Sequence, residues 1–144
     1  MADALALLKA HKIFTGLQEA SVAAIAGISV VQRPAPGTAI FSAGAPNTAI
    51  YFITAGNVRI QTAAKVDLGA LGPNEVLGGL SVLSPAKHAA DATAGEGCEI
   101  VVVPLAKLQQ LSKTSANLTS QLVFRLMRAF AVSSRALGLE QLFH

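Results

Sequence analysis

The sequence predicts a mainly β fold with flanking helices, of the α+β class. Two observations carry that expectation. Helix-type apolar spacing is confined to the two ends of the chain, whereas between Ile28 and Val103 short β-branched and alternating segments are punctuated by Gly, Pro and Asn, as in an all-β barrel or sandwich. In addition, 144 residues with 52% hydrophobic side chains suffice for one core, since a domain of this size buries about two thirds of the surface of its unfolded chain. A single domain spanning residues 1–144 is expected, with N-terminal helices over 1–27, the β region over 28–103 and C-terminal helices over 104–144.

Residues 2–10 (ADALALLKA) and 18–27 (QEASVAAIAG) combine strong helix formers with helical apolar spacing, and Thr15-Gly16 breaks them into two short helices. The strand candidates that follow are ISVVQR, TAIF, AIYFITA, NVRIQTA, KVDLGAL, HAADATA and CEIVVV. Gly56-Asn57 separates AIYFITA from VRIQ, and both residues tolerate positive φ, so a tight hairpin turn is expected there. Pro104 stands where a first helical turn accepts proline, LAKLQQL reads as helix, and a long helix follows from about Ser115 to Phe143. Leu118, Leu122, Val123, Leu126, Phe130 and Leu137 give that helix an apolar stripe, with Arg128 and Arg135 opposite and Arg125 near its edge. The stripe fits either packing on the chain's own β region or a two-helix seam with a second subunit, in which Leu122, Leu126, Phe130 and Leu137 would meet their counterparts.

Charged residues make up only 13%, which excludes a disordered polar chain and predicts an apolar surface covered by association, with a homodimer as the expected form. The net charge of +3 comes from scattered residues, and no basic run suggests a nucleic-acid arm or a membrane-surface patch. The uncharged stretch from Pro34 to Val58 is broken by Pro36, Gly37, Gly44, Pro46 and Gly56, so it reads as strands and turns and not as a membrane span. Nothing at the N-terminus resembles a secretory signal, and a cytoplasmic location is expected. Cys98, the sole cysteine, opens an apolar run and reads as a buried strand thiol; it cannot by itself hold a structural zinc or an iron-sulfur cluster. His11, His88 and His144 have no metal-ligand spacing with carboxylates, and no Ser or Cys sits in a nucleophile setting, so no enzyme is expected. His88 or Cys98 as a haem or flavin contact is the alternative that colour in the purified protein would reveal.

Several segments, in order, resemble the cyclic-nucleotide-binding domain of Crp/Fnr (catabolite activator-like) regulators. Residues 35–46 (APGTAIFSAGAP) look like that family's strand, Gly and turn pattern, and 49–58 (AIYFITAGNV) like its aromatic-containing strand ending at a Gly turn. Residues 71–83 (LGPNEVLGGLSVL) resemble the approach to its phosphate-binding cassette. The resemblance runs from about residue 5 to 140. It implies a double-stranded β-helix, a jelly-roll-like β-roll, closed by a long C-terminal helix that dimerises.

In such a cassette a glycine lets the backbone approach a phosphate, a short helix offers unpaired N–H groups, an arginine supplies a bidentate cation, and a glutamate accepts from the ribose hydroxyl. By this resemblance Gly78 takes the glycine place, Leu80, Ser81, Val82 and Leu83 form the short helix, and the glutamate place falls on Gly79. The arginine place falls on His88, flanked by Lys87 and Ala89. Both usual charged ligands are absent. Removing one partner of a buried charged hydrogen bond costs about 2 to 5 kcal/mol, or roughly thirty-fold to a few thousand-fold in affinity. His88 replaces the arginine only when protonated, and Lys87 supplies a point charge in place of a planar fork. The alternative is that both are solvated loop residues. The Thr-Ser pair that reaches the purine in catabolite-activator-like members corresponds to Ser133 and Ser134.

The expected function is therefore a ligand-sensing regulatory domain of a Crp/Fnr-type transcriptional regulator. It would bind a cyclic nucleotide (cAMP or cGMP) or another small anion weakly or with altered specificity, near Gly78, Gly79, Leu80, Ser81, Lys87, His88, Ala89, Ser133 and Ser134, and signal through its long helix. The alternative is a dimerisation or partner-docking module with a degenerate pocket. No helix-turn-helix follows the long helix, so DNA reading by this chain alone is not expected.

Overall fold

The computed structural model describes residues 3–77, 88, 90–114, 117, 120–122 and 125. Helix α1 (Ala4–Ala10) begins under a side-chain cap from Asp3 and stops at His11. A 3₁₀ turn (Lys12–Phe14) follows, Gly16 takes φ +85° at the expected break, and α2 spans Glu19–Ala26. Eight strands come next among the described residues: β1 (Val30–Gln32), β2 (Ala39–Phe41), β3 (Ala49–Ala55), β4 (Val58–Gln61), β5 (Asp67–Leu71), β6 (Val76–Leu77), β7 (Asp91–Ala94) and β8 (Glu99–Pro104). Helix α3 (Leu105–Ser112) leaves β8 directly, with Pro104 as its N-cap residue. Helical backbone is present again at Asn117, Ser120, Gln121, Leu122 and Arg125.

The strands form two four-stranded sheets, β1-β8-β3-β6 and β2-β7-β4-β5, and every pairing is antiparallel. This is the expected mainly β roll with flanking helices.

The chain crosses between the sheets at Gly56-Asn57, which overturns the expected hairpin. β3 pairs with β6 and β8, and β4 with β5 and β7, so the two strands flanking the turn lie in different sheets. Gly56 does take positive φ (+67°), but as a corner: a Cβ there would lie 2.5 Å from the carbonyl carbon of Gly97, inside the opposite corner between β7 and β8. The Gly95 N–H donates to the Asn57 carbonyl at 2.9 Å, tying the two corners together. The tight hairpin is one loop later, where β4 and β5 pair around residues 62–66 with Lys65 at φ +68°.

Among the described residues the core forms two apolar clusters. One joins α1, α2, α3 and the outer face of the first sheet through Leu8, Phe14, Val22, Ile25, Ile50, Phe52, Val101, Val103 and Leu108. The other lies inside the roll, through Ile53, Val58, Ile60, Leu71, Leu77, Ala92, Ala94, Cys98 and Ile100. Leu122 is fully buried in the first cluster. That corrects its assignment to a dimer seam: its side chain is already covered by the chain's own helices and sheet. Among the described residues no helix is long and apolar enough to cross a membrane.

Candidate functional site

The segment between β6 and β7 contains the loop singled out by sequence, and the structure shows how both of its ends are held. On one side Val76 and Leu77 pair with Phe52 and Tyr51 of β3. On the other, His88 exchanges backbone hydrogen bonds with the β2–β3 loop: its N–H donates to the Ala45 carbonyl at 2.9 Å, and its carbonyl accepts from the Gly44 N–H at 2.8 Å. Asp91, at the start of β7, accepts from the Ala43 N–H at 2.7 Å and from Lys65 Nζ at 2.6 Å, which keeps its carboxyl below the usual carboxylate range. The β2–β3 loop is thereby clamped to β7 from two sides.

His88 is 8% exposed, so it is not the solvated loop residue of the alternative expectation. Its ring lies flat on Phe41, with centroids 3.6 Å apart and planes 6° from parallel, and Phe41 in turn packs on Tyr51 at 5.4 Å. Burial lowers the His88 pKa below its ordinary 6.5, which keeps the imidazole neutral at pH 7. A standing cation in place of the family's arginine is therefore not supplied by this side chain. Gly78, Gly79, Leu80, Ser81, Lys87, Ala89, Ser133 and Ser134 lie outside the described residues, as do the seam candidates Leu126, Phe130 and Leu137.

A second set of contacts leads away from the start of the loop. Asn74, at φ +72°, accepts from the Lys12 N–H through Oδ1 at 2.9 Å, and the Glu75 carbonyl faces Nε2 of His11 at 3.2 Å. His11 Nδ1 accepts from the Ile13 N–H, so the proton belongs on Nε2, which donates to Glu75. That neutral ring is buried edge-on against Phe52, and burial holds its pKa below 6.5. The carbonyls of Ile13 and Thr15, at the end of the same 3₁₀ turn, both accept from Arg125 Nη1 of the C-terminal helical segment, at 2.8 and 2.5 Å. The β5–β6 turn, the N-terminal helices and the C-terminal segment thus form one connected chain of polar contacts.

Sequence reasoning did not single out Phe41, Asn74, Glu75 or His11 for the site. Phe41 carried a usable signal, an aromatic in an otherwise small-residue strand segment. The Asn74 and His11 contacts join residues more than sixty positions apart and have no local signature. Among the described residues there is no cluster of three or more His, Cys, Asp or Glu side chains placed to hold a metal.

The architecture recurs in solved structures. The chain is similar to a candidate cyclic nucleotide-binding protein from Geobacter metallireducens GS-15, with 21% identity, TM-score 0.76 and coverage of 87% of this chain and 93% of that one. It is also similar to the N-terminal domain of a transcriptional regulator from Streptomyces coelicolor A3(2), with 21% identity, TM-score 0.72 and coverage of 91% and 96%. A cyclic nucleotide-binding domain from Methylobacillus flagellatus KT matches at 17% identity and TM-score 0.77, covering 92% and 76%. Comparison with curated proteins gives no match. The family model of the cyclic nucleotide-binding domain matches residues 31–115, from β1 through α3 and so across both ends of the loop; the chain belongs to the cyclic nucleotide-binding domain family.

Proposed function

We propose that this chain is a ligand-sensing regulatory domain of a Crp/Fnr-type transcriptional regulator. In this reading it binds a cyclic nucleotide or another small anion weakly at the loop over residues 78–89, with Ser133 and Ser134 on the far wall, and signals through its C-terminal helix. The observation that carries it is the contact chain from Asn74 and Glu75 through His11 and Lys12 to the carbonyls that hold Arg125. A ligand that repositions the loop acts on β6, hence on the 3₁₀ turn and on the helix bearing Arg125. It shifts the helix only by as much as its affinity differs between the two arrangements. The whole of residues 1–144 acts as one unit, and Leu126, Phe130 and Leu137 form the homodimer seam without Leu122.

The neutral His88 supports weak or altered specificity over tight cyclic-nucleotide binding. Titration of the full chain with cAMP, cGMP and sulfate, followed by melting temperature, tests the reading. A rise with at least one of them at millimolar concentration is expected. If none raises the melting temperature, the effector reading fails. The second reading, a docking module with a disused pocket, is favoured by the stacking of His88 onto Phe41, which leaves no fixed charge at that place. It predicts that Leu126→Asp abolishes dimers in light scattering while His88→Ala leaves partner binding unchanged.

A further inference from the structure

The 3₁₀ turn that receives Arg125 is capped by an uncommon residue. A helix N-cap is ordinarily Ser, Thr, Asp or Asn, whose side-chain oxygen accepts a backbone N–H throughout the neutral range. Here the N-cap is His11, and the Ile13 N–H donates to its Nδ1 at 3.2 Å. That acceptor exists only while the imidazole is neutral, since the charged ring carries an N–H on both nitrogens. The other nitrogen, Nε2, is already the donor to the Glu75 carbonyl at 3.2 Å. A second proton on the ring therefore has one place to go, and there it meets the Ile13 N–H, donor against donor. The ring is 2% exposed and is packed edge-on against Phe14 and Phe52, so the charge would also be held out of water.

We propose that His11 is an acid-operated latch: a proton taken from solvent onto Nδ1 breaks the cap on Ile13, opens the 3₁₀ turn and frees Arg125, which loosens the C-terminal helical segment from the N-terminal helices. The link from cap to segment is direct, because the Ile13 and Thr15 carbonyls of this turn are the acceptors of Arg125 Nη1. The latch stands on contacts within the chain itself and operates whether or not an effector binds between β6 and β7.

Among the described residues no carboxylate pairs with the ring to hold its charge in place. On α1, Lys9 is paired with Glu19 of α2 at 2.9 Å, and Asp3 caps the Ala6 N–H. Lys12 follows in the turn, and Arg125 adds a second cation at its carbonyls. Glu75 turns its carboxyl to the Gly72 N–H at 3.3 Å, and burial raises that carboxyl's pKa. On β3 the titratable group is Tyr51, which packs on Phe41 inside the roll. Glu99 of β8 is bound to Arg33 and Thr54, and Lys107 of α3 is exposed.

The sign follows from linkage. Burial holds the latched ring below its ordinary 6.5, whereas the opened ring regains that value, so the open form takes up protons first as pH falls. Opening is favoured by up to about tenfold per pH unit below 6.5. Amide exchange of the full chain between pH 7.5 and 5.5, expressed as protection against the intrinsic rate at each pH, reads this locally. Protection at Ile13, Phe14 and Thr15 is expected to fall as the His11 ring resonance titrates, with the Arg125 side-chain N–H signal shifting in step, while the paired amides of β3 and β8 keep theirs. His11→Asn supplies a cap acceptor that does not titrate and is expected to make protection of the turn independent of pH; Glu75→Gln is expected to leave the acid response unchanged. If the ring stays neutral to pH 5.5, or charges without loss of protection in the turn, the latch is wrong, and this wild-type result decides even where His11→Asn does not fold. Parallel loss at β3 and β8 would mean that acid unfolds the domain as a whole and no latch exists. An acid response that persists in His11→Asn, or vanishes in Glu75→Gln, assigns it to another group and overturns the proposal.

Discussion

The two sheets are made of similar residues and buried in different ways. In β1-β8-β3-β6 the central strands are covered on both faces: Ile50, Phe52, Val101 and Val103 join the helices, while Tyr51, Ile53, Ile100 and Val102 face the interior of the roll. In β2-β7-β4-β5 only one face is covered, so Val58 and Ile60 are buried whereas Arg59 is exposed between them. The helices cap one sheet and leave the outer face of the other to water. The layer between the helices and the first sheet holds Phe14 and Phe52, and the roll's interior mixes Ile53, Ile60, Leu71 and Ile100 with small side chains such as Ala90, Ala92 and Ala94.

The largest effect expected from this contrast is at Phe52, fully buried between sheet and helices against Phe14 and His11. Phe52→Ala is expected to cost about 3 to 5 kcal/mol in urea unfolding, and a loss below about 1 kcal/mol would mean that the helical layer is loosely packed. Gly56→Ala tests the corner that joins the sheets. Positive φ alone costs about 1 to 3 kcal/mol in a non-glycine residue, and the Cβ would also press on the backbone of Gly97 and Cys98. A hairpin turn would tolerate the substitution better, so a near-neutral result contradicts the corner. Arg125→Ala removes two charged hydrogen bonds to the 3₁₀ turn and is expected to cost about 1.5 kcal/mol, with faster hydrogen exchange at Ile13 and Thr15 as the local readout.

Acid should separate the regions next. His11 and His88 both have pKa values lowered by burial, so the unfolded chain takes up protons first as pH falls through 6.5. Stability present at pH 7.5 is therefore lost progressively toward pH 5.5, and denaturation midpoints across that range check it. The smallest effect belongs to the solvent-facing side of the second sheet. Arg59 and Asp67 form an ion pair with both side chains about half exposed, and Arg59→Ala is expected to change stability by no more than about 0.5 kcal/mol.

Much of this was legible in the sequence, and the contrast between sheets shows why some was not. Both N-terminal helices, the break at Gly16 and seven of the eight strands among the described residues follow from local periodicity and breakers. β6, only two residues long, is hidden within the segment read as the approach to the cassette. Gly56-Asn57 has the positive φ its composition suggests, but which strands pair across a turn is decided by distant partners. A signal was present nonetheless: AIYFITA is apolar at successive positions, as a two-sided strand is, whereas VRIQ alternates, as a one-sided strand does. At the site, the family resemblance placed the loop, but whether His88 is solvated or buried depends on its alignment with Phe41, which no local pattern encodes. Leu122 shows the same limit, because a helical stripe reports an apolar face without naming what covers it.

The pairing of β1 with β8, and of β2 with β7, also dictates how the chain can assemble. Val30 must wait for Val102, and Ala39 for Thr93, so neither sheet closes while only the first half of the chain has been made. During synthesis β1, β2 and β3 leave the ribosome long before their partners, with apolar edges open to other chains. Folding dominated by such distant pairings is slow, on the order of milliseconds to seconds. The roll therefore depends on emergence of the segment from Asp91 to Pro104, and a nascent chain stalled before it is the form most exposed to aggregation.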